Sequence, residues 1–395
     1  MRMAGVLGLV LVLVACSGGP ILANAPVERA APAATPTLPA VAPDPQPVEF
    51  PRDDGPHRRL TEWWYYTGHL ATDAGRRFGF EFVIFRAERG AFPVSWASHL
   101  ALTDEAGRRF LYGQRSEIGA QVDGSPGVSD GEPTGVALTV TGSDPSRTGP
   151  PGATPWTMSG AGGQAHLAAA ISAAEAAEAG ESGQAVAFGL SLDLRSARPA
   201  VLHDRTGFID FGPAGGSYYY SRPRMAASGT VALGNETLAV KGEAWFDHQW
   251  GDFIAVGGGG WDWFAINLVD GTDLTLSLVR DASGEDSLAY GTLVHPDGRT
   301  EHLDRGAFAV NALRTWTSPR SGATYPAAWR ISVPAAGLDI GLEPTLPDQE
   351  LDTRATTGVV YWEGSKRVTA AQRGTSIGGE AYVELTGYGR PPTTP

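Results

Sequence analysis

The chain has 395 residues, 42% of them hydrophobic, and a formal net charge of −13. That length suits two domains with real cores, and that charge excludes a nucleic-acid partner, because phosphate binding needs clustered Lys and Arg. A single cysteine excludes a disulfide framework. The 52 glycines and 29 prolines point to an all-β protein dense in turns.

The first element is an export signal. Arg2 precedes an unbroken apolar run from Ala4 to Ala15, too short to span a bilayer, which needs about 20 residues. Leu13-Val14-Ala15-Cys16 resembles the bacterial lipobox, so residues 1–15 are expected to be removed and Cys16 lipidated. The alternative is an ordinary cleaved signal with an incidental Cys. Ser17 resembles an outer-membrane address, which places the expected location in the cell envelope, at the periplasmic face of the outer membrane. Residues 16–47 are rich in Ala and Pro without periodicity and read as a disordered tether. No later segment is long and apolar enough to cross a membrane.

Strand patterns then recur to Tyr388. Phe78, Phe80, Phe82 and Ile84 alternate with Gly79, Glu81 and Val83; Phe188, Leu190, Leu192 and Leu194 alternate with Gly189, Ser191 and Asp193; Leu274, Leu276 and Leu278 alternate with Thr275 and Ser277. Period 2 is the mark of a strand with one face in a core. Asp73-Ala74-Gly75, Asp270-Gly271 and Asp297-Gly298 supply turns. His166–Ile171 is expected as a strand followed by an Ala/Glu-rich loop, although the stretch to Ala179 has high helix propensity. The architecture expected is two tandem antiparallel barrels over 48–245 and 246–392, with the boundary somewhere in 235–258.

Three segments could carry chemistry. Glu62-Trp63-Trp64-Tyr65-Tyr66-Thr67-Gly68-His69 puts Glu62, Trp64 and Tyr66 on one face of a strand; such a cluster is either core or pocket lining. Trp245-Phe246-Asp247-His248-Gln249-Trp250 packs an acid and an imidazole between two indoles, and Gly257–Gly260 leads to Trp261-Asp262-Trp263, another acid between indoles. Asp247 could fix the tautomer of His248, while indoles could exclude water and shift both groups. Adjacent Asp-His pairs are also common in purely structural roles. Ser98-His99, His203-Asp204 and Ser217–Ser221 are weaker signals. No HExxH spacing or phosphate loop is present, and no GxSxG stands at a strand-to-helix elbow, so no metal site and no cofactor are expected.

Several of these stretches together resemble the AttH-like family, which includes carotenoid 1,2-hydratase and proteins described only as predicted secreted hydrolases. They are Glu62–His69, Ser217–Arg222 with Met225, Ala244–Gly251, Trp261–Phe264, Trp316–Pro319, Tyr325-Pro326, Tyr361–Gly364 and Tyr382–Tyr388. The resemblance implies two lipocalin-like β-barrels. In the hydratase branch it implies water addition across an isolated carbon–carbon double bond, with the family motif falling on His248 and Trp250. On that basis Asp247 orients His248, Trp250 is an aromatic wall, and Asp262 is a second acid chosen by its chemistry. Glu62, Trp64, Tyr66, His99, Tyr219, Trp245 and Trp261 are the expected ligand-binding residues. Two departures stand against a carotenoid substrate: the lipid anchor, and the Ala/Glu-rich insertion near 172–184. Two functions follow: an enzyme acting on an isoprenoid or fatty molecule, or a non-catalytic carrier or sensor of a lipophile. Both have a lipophilic small molecule and, through the anchor, the membrane as partners.

Overall fold

The computed structural model describes residues 43–127, 133–142, 154–178, 186–253, 258–281 and 283–389. The signal peptide, Cys16 and the tether up to residue 42 lie outside these, as do residues 179–185 of the insertion. Pro43–Pro47, expected in the tether, instead lies against the first sheet. There Tyr218 donates its hydroxyl proton to Asp44 at 2.7 Å and accepts the Gln46 amide at 2.7 Å.

The first sheet takes in β1 (Thr61–Ala71), β2 (Arg77–Ala87), β3 (Ser95–Asp104), β4 (Arg109–Ile118), β5 (Val136–Val140) and β6 (Trp156–Ala161). It continues with β7 (Gln164–Ile171), β8 (Phe188–Ser196), β9 (Val201–Leu202), β10 (Phe208–Asp210), β11 (Gly216–Leu233) and β12 (Glu236–Gly251). The second takes in β13 (Gly258–Leu268), β14 (Asp273–Asp281), β15 (Asp286–Val294), β16 (Thr300–Asp304) and β17 (Ala309–Thr317). It ends with β18 (Thr324–Val333), β19 (Leu338–Pro344), β20 (Glu350–Asp352), β21 (Val360–Gln372) and β22 (Thr375–Leu385).

Both sheets share one plan: a meander whose first strand pairs with its last, β1 with β12 and β13 with β22. The first sheet runs β4-β3-β2-β1-β12-β11-β8-β7-β6-β5 and curls until β4 lies beside β5. The second runs β16-β15-β14-β13-β22-β21-β19-β18-β17. The chain is thus all-β, two lipocalin-like antiparallel barrels in tandem. Because β12 stays in the first sheet to Gly251, the sheets divide between Gly251 and Gly258, not at the 245/246 division drawn from the sequence.

Alternation sets the cores. Phe78, Phe80, Phe82 and Ile84 of β2 point into the first barrel with Trp64, Trp96, Trp156 and the leucines of β8. Leu274 and Leu276 enter the second with Phe264, Trp329 and Trp362. Gly75 and Gly271 take φ of +83° and +92° in their turns, backbone that a side chain resists. After β7 the chain forms a short helix, α1 (Ala173–Glu178), where the sequence reading favoured a loop. Ser172 accepts the Glu175 amide at 3.2 Å and Glu175 accepts the Ser172 amide at 2.8 Å, a capping box that starts the helix. Arg115 then pins Glu175 at 2.7 Å.

The barrels pack through the outer faces of β3, β2, β1, β12 and β11 against those of β13, β22 and β21. Tyr65, Val83, Trp245, Trp263, Ala265 and Tyr382 form an apolar layer there. This layer is where the remaining polar residues converge.

Candidate functional site between the barrels

Period 2 delivers every group of this site. Residues that alternate with the first core (Tyr65 on β1, Glu81 on β2, His99 on β3, Asp247 on β12, Tyr219 on β11) face the second barrel. Residues that alternate with the second core (Tyr361 and Glu363 on β21, Tyr382 and Glu384 on β22, Trp261 and Trp263 on β13) face the first. Four carboxyl groups therefore meet in one apolar layer. Glu363 and Glu384 are direct cross-strand partners, a placement that brings β-carbons to about 5 Å.

The four differ in how they are held. Asp247 accepts from Tyr219 at 2.7 Å, from the Trp245 indole at 2.7 Å and from Ser221. Tyr219 in turn accepts the Trp263 indole N–H at 3.0 Å, so one phenol bridges the two sheets. His203 extends the chain, touching Ser221 at 2.7 Å and Thr292 at 2.9 Å. Since Ser221 gives its proton to Asp247, His203 Nε2–H must donate to Ser221 and its Nδ1 must accept from Thr292. Glu81 accepts from Tyr361 at 2.8 Å, and Tyr361 accepts from His99 Nδ1 at 2.8 Å. Glu384 accepts the Trp261 indole at 3.1 Å. Glu363 is fully buried, and neither oxygen has a hydrogen-bond partner among the described residues. The Tyr65 hydroxyl is close enough to oppose the rise in the Glu363 pKa, yet makes no hydrogen bond of ordinary length.

Burial raises all four acids. It pushes Glu81 up to about 8, Asp247 to about 7 against its three donors, and Glu384 to about 7. Glu363 rises well above the usual range, through burial first and then through Glu81 and Glu384 beside it. Burial likewise holds His99 and His203 down at about 3, so both rings are neutral. Further buried polar atoms without partners, Tyr65 Oη, Thr67 Oγ1, Glu81 Oε2 and Tyr382 Oη, face the same layer. Buried polar atoms are nearly always paired, so this concentration is unusual and marks a site more than a scaffold. Trp63, Phe85, Trp261 and Glu384 are only partly buried and form its solvent-side edge.

A second polar group lies on the opposite face of β1 and β12, at the mouth of the first barrel. His248 Nε2 meets Glu62 Oε1 at 2.9 Å, and His57 Nδ1 meets the same oxygen at 2.8 Å. Trp64 stacks on His248 and Trp250 on His57, with centroids 4.8 and 4.0 Å apart.

The AttH-like family profile matches residues 41–388. The chain belongs to the AttH-like family. This AttH-like protein is similar to the crystal structure of an AttH protein from Nitrosomonas europaea, with 30% identity and a TM-score of 0.68 over 87% of this chain and 98% of that one. It is also similar to kievitone hydratase from Nectria haematococca, with a TM-score of 0.63 over 86% and 93% of the two chains. That likeness, at 15% identity, bears on the fold alone. No curated protein matches the sequence.

In this AttH-like protein the residues expected to act together part company. Asp247 and His248 are consecutive on a strand and point to opposite faces. Asp247 therefore does not orient His248; the Glu62 carboxylate and the Asp53 carbonyl do, at 2.9 and 3.0 Å. Trp250 follows His248 into the first barrel. Asp262 turns into the second, ion-paired to Arg280 and bonded to Tyr388 at 3.0 Å. Among the expected ligand residues, Glu62, Trp64 and Tyr66 face the first core, whereas His99, Tyr219, Trp245 and Trp261 line the layer between barrels. Glu81, Glu363 and Glu384 were missed as site residues. Only Glu81 carried a signal in the sequence, as an acid within Phe78–Phe85, a stretch otherwise apolar on both faces.

Proposed function

We propose that this protein is an envelope enzyme of hydratase type, anchored through Cys16, that protonates a carbon–carbon double bond of an isoprenoid or fatty substrate between its barrels. The observation that carries this reading is Glu363: a fully buried carboxyl without hydrogen-bond partners among the described residues, opposite a second acid, amid indole and phenol rings. Two carboxylates so placed resist joint ionisation, so a proton stays available at neutral pH. In the proposed step Glu363 gives that proton to one alkene carbon, and the cation develops on the other. The Trp245, Trp263 and Tyr65 rings stabilise it. Water forms the C–O bond, and its surplus proton returns to the carboxylate, so the acid is regenerated and H2O is the only addition. The AttH-like family membership and the hydratase-fold likeness agree with this chemistry without naming a substrate.

The test is to incubate the lipidated protein with unsaturated isoprenoid and fatty lipids in H2 18O. Wild type is expected to yield products heavier by one H2 18O, and Glu363→Gln none. Equal yields from both proteins would remove Glu363 from the chemistry.

One observation favours the carrier reading instead. A cavity of about 290 Å³ opens at the second barrel, lined by Leu278, Ala289, Phe308 and Val310 with Asp286 and Arg305 at hand. Recovery of an unaltered lipid with gently purified protein, coupled to no 18O uptake, would select it.

A further inference from the structure

The group at the mouth of the first barrel plays no part in the proposed step, and its proton arithmetic does not close. His57 and His248 each present one ring nitrogen to the same oxygen, Glu62 Oε1, at 2.8 and 2.9 Å. The other nitrogen of each ring is also turned to an acceptor: His248 Nδ1 to the Asp53 carbonyl at 3.0 Å, and His57 Nε2 to Asp53 Oδ1 at 3.2 Å. A carbonyl cannot donate, and neither can an ionised carboxylate. A neutral ring has one N–H for its two acceptors, so each ring leaves one nitrogen lone pair facing an oxygen; with the N–H groups on the outer nitrogens, the three inner atoms confront one another. An extra proton on a ring answers this conflict, and so does one metal ion among the inner atoms.

We propose that His57, Glu62 and His248 bind a divalent transition metal, with Zn2+ the best match. Imidazole and carboxylate ligands are the set that Zn2+ favours, and three protein ligands leave a fourth place for a small oxygen ligand. The three candidate atoms lie within 4.8 Å of one another, and they are the one such trio among the described residues. In a tetrahedral zinc site ligand atoms stand about 3.3 Å apart, so Glu62 Oε1 needs to withdraw by on the order of half an ångström. The outer contacts are those of ligating histidines, which nearly always give their second N–H to a carbonyl or carboxylate that orients the ring. Asp53 serves both rings in that way, and the Trp64 and Trp250 faces leave them little freedom to turn. Charges nearby are compatible. Arg86 approaches the far oxygen of Glu62 at 3.8 Å and donates to the His57 carbonyl, while Arg52 pairs with Asp53. Besides the two rings, the inner oxygen of Glu62 meets only the His57 amide, at 3.2 Å, which lies closer to the outer oxygen at 2.9 Å.

The site would fasten the segment before β1 to β12. The test uses full-length, untagged protein freed of metal and titrated with Co2+, whose absorption reports geometry and ligand type. The expected result is one Co2+ per chain with tetrahedral nitrogen-containing absorption, displaced by Zn2+, and affinity at least tenfold weaker in His57→Gln. A folded wild-type protein that takes up no stoichiometric Co2+ or Zn2+ would overturn the proposal and leave two protonated rings in its place. Binding unchanged in His57→Gln, or without the tetrahedral spectrum, would overturn it equally. Should that variant fail to fold, the wild-type spectrum and a rise in Tm on adding Zn2+ decide the matter alone.

Discussion

Glu363 stands directly across the β21–β22 pair from Glu384, both facing the first barrel. Like charges placed opposite each other on a sheet repel, and here the surroundings are apolar. The pair holds together by keeping a proton, and that has consequences for stability as well as for chemistry.

Stability should fall as pH rises through neutrality. Glu384, Asp247 and Glu81 have folded values near 7, 7 and 8, all raised by burial, and Glu363 is higher still. Unfolded, such groups ionise near 4. Between about pH 4.5 and 8 the native state therefore binds more protons than the unfolded state, and ΔG of unfolding declines with pH. Thermal unfolding at pH 5 and pH 8 checks the sign: wild type should lose about 2 kcal/mol or more over that window. Glu363→Gln, neutral at every pH, should flatten the slope and raise Tm at pH 8.

The Tyr219 bridge should be worth more than one ordinary hydrogen bond. It donates to Asp247 and accepts from Trp263, so Tyr219→Phe strands a buried acceptor and a buried N–H at once. A loss of about 2 kcal/mol in urea unfolding is expected, whereas a solvent-exposed Tyr→Phe change would cost almost nothing.

Asp273 ties the sheets through charge. It is fully buried and paired at 2.9 Å with both Arg198 and Arg224 of the first unit. Asp273→Ala leaves two guanidiniums facing one another without their shared partner. Destabilisation of about 3–5 kcal/mol is expected. Calorimetry should then show two transitions in place of one.

Tyr361→Phe should move the titration of Glu81. The Tyr361 hydroxyl holds the Glu81 carboxyl down against burial, so its loss raises Glu81 further. In an infrared pH titration the protonated Glu81 C=O band is expected to persist to higher pH in the variant than in wild type.

Much of this was legible in the sequence and one error was avoidable. The alternation in Phe78–Ile84 and Leu274–Leu278 states the two cores, and the family motifs state the two barrels. The same period 2 forbids Asp247 and His248 from sharing a face, yet their adjacency suggested a pair; chemistry read along the chain misleads on a strand. Ser172 and Glu175 spell a capping box that the β context obscured. The acid layer is different in kind. Glu363 and Glu384 share the β21–β22 hairpin, but Glu81 comes from β2, and only the packing of one barrel on the other brings it to them. No local pattern says that the Glu363 oxygens will be buried there unpaired.

The central claim is that Glu363 is a protonated acid at neutral pH. Infrared difference spectroscopy in the carboxyl C=O region, comparing wild type with Glu363→Gln across a pH titration, tests it most directly. A protonated-carboxyl band that persists at pH 7 in wild type and is missing from the variant is the predicted result. A wild-type spectrum already showing only ionised carboxylates at pH 6, indistinguishable from the variant in that region, would contradict the account.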